Sequence, residues 1–151
     1  MTSDGSVDVK EIVHLGQALK AYQSMPEDVQ EAFDSMITAV QNSKPVKAGA
    51  RTDLKGKLEG ISELGFDYRG DTYRTYYAAE FREVIFILSA GSKKSHKGGE
   101  IPKEEVEALE KRLKKAVAYY ADNKEFFEAR FARRARNREI ERRQFEKGGS
   151  K

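Results

Sequence analysis

A cluster of basic side chains in the second half of the chain is the feature of the sequence best suited to chemistry. Lys93, Lys94 and Lys97 occur within five residues, and His96 lies among them. The cluster follows three segments rich in Val, Ile, Phe and Tyr, a composition typical of β-strands. Because a sheet is a rigid platform, lysines released at its end can be held where a phosphate chain would lie. The pattern indicates an anionic ligand or substrate.

Metal-independent cleavage of RNA is a reaction that these residue types can perform. It requires that the 2′-hydroxyl is deprotonated, that the charge on the phosphorane is stabilised and that the leaving 5′-oxygen is protonated. The sequence contains no cysteine, and its only histidines are His14 and His96. We therefore expect lysine and arginine to do most of this work, without a cofactor or a bound metal ion.

The expected roles follow from the positions of these residues along the strand-like segments. Arg74 lies on the central segment, where its guanidinium can bind a phosphate through two hydrogen bonds. Lysines at the start of the first segment are expected to lie across from it. His96 titrates in the range suited to a general acid, and a lysine among other cations can have a lowered pKa. The predicted catalytic residues are Lys55, Arg74, Lys93, Lys94 and His96.

Further contacts with RNA are expected beside this site and near the C-terminus. Additional lysines contribute charge, and tyrosines of the central strand can stack on unpaired bases. Arginines near the end of the chain add a second basic surface. The predicted RNA-binding residues are Lys57, Tyr73, Tyr76, Lys97, Arg133 and Arg134.

Each of these assignments has an ordinary structural alternative. Arg74 can form a cross-strand ion pair with a neighbouring acid, the lysines can belong to a solvated loop, and the arginines can lie on a solvated helix face. Glu63 is interpreted as the structural partner of a lysine rather than as a base. The nuclease hypothesis requires that the cations converge on one shallow hollow. An Arg74 turned away from the lysines, with acidic groups filling the hollow, would contradict it.

The elements that must position these residues can be read from apolar spacing and turn residues. A short strand and a brief helix are expected first, then a helix that begins at Pro26, three strands in an antiparallel meander, and a helix that begins at Pro102. The chain from Arg130 to Arg138 is helical in propensity but has too few large apolar groups to pack a full face. The predicted segments are Glu11–Leu15, Gln17–Gln23, Ile61–Tyr68, Thr72–Ala79 and Val84–Ala90.

Length and composition favour one domain with a highly charged surface. The chain has 151 residues, of which 35% are charged and 38% hydrophobic, with a formal net charge of +3. Two basic and seven acidic groups lie in residues 1–43, whereas ten basic and six acidic groups lie in residues 121–151. We expect a flexible leader over 1–10, a folded domain over 11–120 and a basic, helical extension over 121–151. No apolar run approaches the roughly 18 residues that span a bilayer, so we expect a cytoplasmic protein without a membrane partner.

Four short motifs occur in an order that resembles a known family. They are Leu54-Lys55-Gly56, Glu63-Leu64, Asp71-Thr72-Tyr73-Arg74, and the segment Lys93–Gly98 with Pro102 behind it. Together they resemble the phage-derived, HigB-like branch of the RelE/ParE toxin superfamily, over roughly residues 11–118. The family commonly has an aromatic residue where this chain has Ala90-Gly91-Ser92.

The resemblance implies an α+β fold in which N-terminal helices pack on a small antiparallel sheet, followed by a C-terminal helix. It also implies a type II toxin that cuts mRNA, often on the ribosome, and that is restrained by an antitoxin with a helix-turn-helix domain. ParE-like relatives share the fold but act on DNA gyrase, so the fold alone does not decide the target. We therefore expect an endoribonuclease toxin. The alternatives are a non-catalytic relative that binds RNA or the ribosome, and a gyrase-type inhibitor.

Overall fold

The computed structural model describes residues 9–93 and 101–149 and has an α+β fold. This confirms the predicted class. The strands and helices are, in chain order, β1 (Glu11–His14), α1 (Ala18–Gln23), α2 (Glu27–Gln41), β2 (Arg51–Asp53), a 3-10 turn (Gly56–Leu58), β3 (Ser62–Tyr68), β4 (Asp71–Ala78), β5 (Val84–Lys93), α3 (Lys103–Asp122) and α4 (Lys124–Gly149).

The five strands form one mixed sheet in the order β1-β5-β4-β3-β2. The predicted meander is present, because β3, β4 and β5 pair antiparallel in sequence. The arrangement that the resemblance implied, N-terminal helices packed on a small antiparallel sheet, is wrong in two respects. The sheet comes first, since the chain opens with β1, and β1 pairs parallel with β5. Helices α1 and α2 then carry the chain from one edge of the sheet to the other, where β2 begins.

Strand β2 was not expected from the sequence. It comprises only Arg51–Asp53, all three of which are exposed, so it lacks the apolar alternation by which strands are recognised. It pairs antiparallel with β3, where Thr52 lies opposite Glu63.

The hairpin between β3 and β4 fixes which residues share a face of the sheet. Its two turn residues, Arg69 and Gly70, have φ values of +51° and +86°, the left-handed conformation that type I′ hairpin turns require. The resulting register sets Gly65 opposite Arg74 and Glu63 opposite Tyr76. Because side chains alternate along a strand, these residues share one face.

The sheet separates two apolar layers. One layer lies against α1 and α2 and includes Phe33, Leu64 and Tyr77, with Tyr73 packed at its margin. The other lies against α3 and α4 and includes Tyr76, Phe86, Leu88, Leu109 and Phe127. The predicted alternation in β4 is therefore confirmed, with Tyr73 and Tyr77 on one face and Tyr76 on the other.

The C-terminal helix α4 begins inside the second layer and ends in solvent. Phe127 is 1% exposed and its ring contacts the rings of Phe86 and Tyr120, with centroid distances of 6.0 and 5.8 Å. Phe131 is also buried, whereas residues 140–147 are all exposed. Among the described residues, no helix is both long and apolar enough to cross a bilayer.

Two adjacent phenylalanines in α4 test this packing. Phe127→Ala should lower the free energy of unfolding by about 3–5 kcal/mol, because it removes a buried ring and leaves a cavity. Phe126→Ala, the matched control, should change it by less than about 0.5 kcal/mol, because Phe126 is 65% exposed. Urea unfolding followed by circular dichroism measures both values. Equal losses in the two variants would show that α4 does not dock through Phe127.

Candidate functional site

A cleft of about 270 Å³ opens between α3 and the part of the sheet where β4 and β5 pair. It lies on the sheet face opposite α1 and α2, and β5 borders it along its last residues. The residues that line it are Arg74, Tyr76, Ser89, Ala90, Gly91, Ser92, Glu105, Ala108 and Arg112.

A β-bulge in β5 marks the boundary between the apolar core and this cleft. Tyr77 lies opposite Ile87 and Tyr76 lies opposite Ser89, so Leu88 is the extra residue in β5. Leu88 remains in the apolar layer under α3, and Ser89 lines the cleft. The additional residue changes the alternation of the strand, as bulges do next to functional sites. A strand that is apolar on both faces thereby acquires a polar end.

Arg74 is held in the cleft by its neighbours on β3. Its Nε atom lies 3.5 Å from Oε2 of Glu63, and the two side chains are 24% and 13% exposed. The guanidinium also passes directly over Gly65, where an added Cβ would lie 2.3 Å from Nη1. A side chain at position 65 would displace the guanidinium from this place, so Gly65 leaves the room that Arg74 occupies and Glu63 attracts it there. Among the described residues, Nε has no hydrogen-bond partner of normal geometry.

Tyr76 forms part of the floor of the cleft. It is 2% exposed, and its hydroxyl is buried without a hydrogen bond to any described residue. Burial, together with the nearby carboxylates of Glu63 and Glu105, raises the pKa of Tyr76. The phenol is therefore neutral at physiological pH and keeps a proton that it can donate.

Helix α3 contributes the opposite wall. Glu105, Ala108 and Arg112 recur at the spacing of one helix face, and Ala108 is small enough to leave the cleft open. The guanidinium of Arg112 is anchored at Nη1, which donates to the backbone oxygen of Leu88 at 3.2 Å. Glu105 lies in the first helical turn, where the helix dipole favours a negative charge.

The cleft is therefore mixed in charge rather than purely cationic. Arg74 and Arg112 line it together with Glu105, and Glu63 lies beside Arg74. The nuclease hypothesis did not expect acidic groups in the hollow. The cross-strand ion pair considered as an alternative for Arg74 is present, and Glu63 is the acid. Glu63 therefore pairs with an arginine and not with the lysine that was expected for it. Arg74 lines the same cleft as Ser92 and lies opposite Gly91 in the paired strands, but its guanidinium extends over β3, towards Gly65 and Glu63.

The predicted lysines, together with His96, divide into three groups. Lys93 is the last residue of β5 and lies opposite Thr72, two residues along β4 from Arg74. Lys94, His96 and Lys97 lie outside the described residues. Lys55 and Lys57 belong to the exposed turn after β2 and are not among the residues that line the cleft. The structure thus brings the backbone of Lys93 near that of Arg74. It does not bring Lys55 or Lys57 into the cleft.

Two predicted base-stacking tyrosines do not present a ring to the cleft. Tyr73 packs against the layer under α1 and α2, on the opposite face of the sheet, because it lies next to Arg74 in a strand. Tyr76 lies on the correct face, but only 2% of its surface is exposed, so it can offer its hydroxyl and not its ring.

The two predicted arginines of α4 also differ in environment. Arg134 donates from Nε to the backbone oxygen of Val9 at 3.1 Å, lies 3.5 Å from a carboxylate oxygen of Glu11 and covers the ring of Phe131. These contacts attach α4 to the start of β1, which is a structural role. Arg133, one residue earlier, is exposed to solvent.

Four residues of the site were not found by sequence reasoning. Ser89 is displaced into the cleft by a bulge, which leaves no simple sequence signal. Gly65 could have been noticed as a glycine inside a predicted strand, which often marks a close approach of another group. Glu105 and Arg112 are seven residues apart on a predicted helix, and other residues form its apolar face. That spacing places the two charged residues on one face, which could have been noticed from the sequence. Among the described residues there is no group of three or more metal-ligating side chains.

Comparison with known families identifies the group to which the chain is related. Residues 20–114 match the family described as "Phage derived protein Gp49-like (DUF891)". The chain belongs to this family. The match covers more than half of the sequence and confirms the resemblance to a phage-derived branch that the ordered motifs indicated. It contains the whole sheet except β1, and most of α3, so the cleft lies within the Gp49-like region.

Two solved structures resemble the Gp49-like chain at low identity. A mutant of the E. coli toxin RelE in the free state has 19% identity and a TM-score of 0.47, and the match covers 70% of this chain and 97% of that one. The toxin–antitoxin complex RelBE2 from Mycobacterium tuberculosis has 16% identity and a TM-score of 0.41, covering 56% and 99%. No curated protein sequence matches this chain significantly.

The close approach of Arg74 to Gly65 can be tested by a double-mutant cycle. In an Arg74→Ala background, Gly65→Ala should stabilise the fold by about 0.4–1 kcal/mol, because alanine restricts the unfolded chain more than glycine does. In the wild-type background the same change should displace the guanidinium from Glu63 and lose this gain. Urea unfolding of the four proteins and a crystal structure of Gly65→Ala measure the coupling. Equal effects of Gly65→Ala in both backgrounds would contradict the contact.

Arg133 and Arg134 form a matched pair for the attachment of α4. Arg134→Ala should lower the free energy of unfolding by about 1 kcal/mol, because it removes a charged hydrogen bond to Val9 and a partly exposed ion pair with Glu11. Arg133→Ala should leave it within about 0.5 kcal/mol of the wild type. Thermal and urea unfolding distinguish the two. A loss of RNA affinity in Arg134→Ala without any loss of stability would restore the original RNA-binding assignment.

Proposed function

We propose that this protein is the toxin of a type II toxin–antitoxin pair and that it cleaves mRNA without a metal ion. The observation that supports this most directly is the position of Arg74. Its guanidinium lies over Gly65 and pairs with Glu63, and Arg74 lines a cleft that reaches the end of β5, where the basic cluster begins. An arginine held in this way can bind a phosphodiester with little further loss of side-chain freedom.

The geometry supports a simple sequence of bond changes. The guanidinium of Arg74 binds the non-bridging oxygens of the scissile phosphate and stabilises their charge as the phosphorane forms. The 2′-oxygen attacks the adjacent phosphorus, and the bond from phosphorus to the 5′-oxygen breaks. The products are a 2′,3′-cyclic phosphate and a 5′-hydroxyl, and no water is consumed in this step.

Two proton transfers accompany the reaction. Glu63 is the carboxylate adjacent to Arg74, so it is the described group best placed to accept the proton of the 2′-hydroxyl. This proposal replaces the interpretation of Glu63 as a structural residue rather than a base. The proton for the 5′-oxygen is assigned to the basic cluster, where His96 and Lys94 remain the proposed donors on chemical grounds.

The near-neutral charge of the cleft suggests that the basic cluster of Lys93, Lys94 and Lys97 has a role in binding RNA. Two arginines and the carboxylate of Glu105 line the cleft, and Glu63 forms an ion pair with Arg74, so its described residues provide little net attraction for an anion. The positive potential that brings a polyanion to the cleft must come from its surroundings, and Lys93, Lys94 and Lys97 follow its edge directly in the sequence. Lys55 and Lys57 are proposed to contact RNA outside the cleft rather than the reacting phosphate.

The proposed partners follow from the same assignment. The substrate is mRNA, proposed to be engaged on the ribosome, and the toxin is proposed to be restrained by an antitoxin with a helix-turn-helix domain in the cytoplasm. Exposed Arg133 is a proposed additional RNA contact.

A second function is favoured by one observation. The carboxylates beside Arg74 and Arg112 reduce the affinity of the cleft for phosphate, which would suit a relative that binds RNA or the ribosome without cutting it. Such a protein would bind RNA with a steep dependence on salt concentration and leave it intact.

Removal of Arg74 tests the proposed reaction. Brief expression of the wild type should arrest growth and produce RNA fragments with 5′-hydroxyl and 2′,3′-cyclic phosphate ends. Arg74→Ala should reduce the rate of cleavage by about 10²–10³-fold, the loss expected when a group that stabilises transition-state charge is removed. Sequencing of RNA ends and single-turnover cleavage of a synthetic RNA measure both effects.

Arg69→Asn provides the matched control. It removes an arginine from the same hairpin, and asparagine tolerates the left-handed backbone of that turn. It should cleave RNA at the wild-type rate. Full activity in Arg74→Ala would show that the site is misplaced. RNA that is bound but never cut by the wild type would favour the second function. Inhibition of DNA gyrase without RNA scission would favour the gyrase-type inhibitor.

A further inference from the structure

The half of the cleft formed by α3 and the end of β5 has no role in the chemistry assigned to Arg74. It contains the carboxylate of Glu105, the guanidinium of Arg112 and the hydroxyl of Ser89, which converge on a space bordered by Gly91. These are polar groups of complementary hydrogen-bonding character in a concave site. This arrangement is typical of recognition of a small polar ligand.

The cleft has room for a planar group beside the phosphate position. Its volume of about 270 Å³ is close to the roughly 300 Å³ at which small-molecule sites begin. The space over Gly91 is open, since a Cβ at that position would meet no atom within 4 Å. With φ at +153°, it also has a backbone conformation that residues with side chains rarely adopt. A strip of backbone without a side chain is a surface on which a flat base can lie.

The two halves of the site belong to one cleft and are joined by neighbouring strands of the sheet. Gly91 lies directly opposite Arg74 in the paired strands. A phosphate bound by the guanidinium of Arg74 over β3, and a nucleoside directed across β4 towards Gly91 and the wall of α3, would occupy one cleft. The base of that nucleoside would meet the side chains of Glu105 and Arg112.

The hydrogen-bonding capacity of this wall distinguishes among the four bases. An ionised carboxylate such as Glu105 can only accept hydrogen bonds, whereas a guanidinium such as Arg112 can only donate them. Guanine is the RNA base with two adjacent donors on its Watson–Crick edge, N1–H and the 2-amino group, and it has an acceptor, O6, beside them. Adenine, cytosine and uracil each set an acceptor lone pair against one of the carboxylate oxygens.

We propose that Glu105 and Arg112 form a guanine-binding subsite. Glu105 accepts hydrogen bonds from N1–H and the 2-amino group, as a carboxylate does with a pair of parallel donors, and Arg112 donates to O6. Arg112 is available for this because its contact with Leu88 uses only Nη1. The inference deepens the proposed function, on which it rests for the presence of RNA in the cleft, and it makes guanosine the preferred nucleoside at the cleavage site.

Glu104 provides a matched control for Glu105. Both residues lie in the first turn of α3, where the helix dipole favours either carboxylate equally. Glu104 is exposed and does not line the cleft, whereas Glu105 does. A purely structural role at the helix start therefore predicts the same behaviour for Glu104→Gln and Glu105→Gln, and a role in base recognition predicts a difference.

The experiment measures binding of the 3′-monophosphates of guanosine, adenosine, cytidine and uridine to the full chain by calorimetry. The wild type and Glu104→Gln should bind the guanosine nucleotide at least about tenfold more tightly than the other three, the effect of about one charge-assisted hydrogen bond. Glu105→Gln should lose this preference. Chemical shifts of the wild type on addition of the guanosine nucleotide should change at Ser89, Gly91 and Ala108, a readout that needs no variant.

The outcomes separate this inference from the proposed function. No preference in the wild type, or a preference that survives in Glu105→Gln, would overturn the guanine subsite even if the protein cleaves RNA. A preference that depends on Glu105 would support the subsite even if no cleavage is found, because nucleotide binding is measured without the reaction.

Discussion

The structure depends on the burial of β5 on both faces of the sheet. Each residue from Val84 to Leu88 is at most 1% exposed. Alternate side chains pack into the layer under α1 and α2 and into the layer under α3 and α4. The strand also pairs with β1 on one side and β4 on the other, so it joins the first strand of the chain to the meander. Every element that forms the candidate site is held in place through contacts with this strand or its neighbours.

The cleft exists because this double burial ends abruptly. The bulge at Leu88 keeps one more apolar side chain in the core and then presents Ser89 and Gly91 to the space beneath α3. A polar cleft placed directly at the end of an apolar strand has a rigid floor. This rigidity matters for any reaction at phosphate, because catalysis by charge stabilisation requires groups that are already in position.

The mixed charge of the cleft gives each charged group a separate task. Gly65 leaves room for the guanidinium of Arg74 and Glu63 pairs with it, and Arg74 is the group proposed to bind a phosphate. The carboxylate of Glu105 would repel a phosphate, but it faces a space suited to a base with two hydrogen-bond donors. A purely cationic hollow would bind any polyanion, whereas alternating charges allow selection among nucleotides. In the proposed function, the attraction for RNA as a polymer comes from the basic cluster that follows β5 in the sequence.

The sequence by itself determined the order of most elements, the hairpin at Gly70 and the alternation that sets Arg74 and Tyr76 apart from Tyr73 and Tyr77. These features depend on local spacing and on turn chemistry, which neighbouring residues specify. The class of the fold and the relation to a phage-derived family also follow from the order of motifs along the chain.

Only the tertiary structure decided the parallel pairing of β1 with β5, the existence of β2 and the composition of the cleft. Edge pairing depends on where the chain returns in space, which local spacing does not specify. The meeting of Arg74 with Glu63 and Gly65 depends on strand register, and the meeting of Glu105 and Arg112 with Ser89 depends on the docking of α3 and on a one-residue bulge. The residue types suited to chemistry could thus be read from the sequence, but their partners could not, because those partners are brought together by contacts between distant parts of the chain.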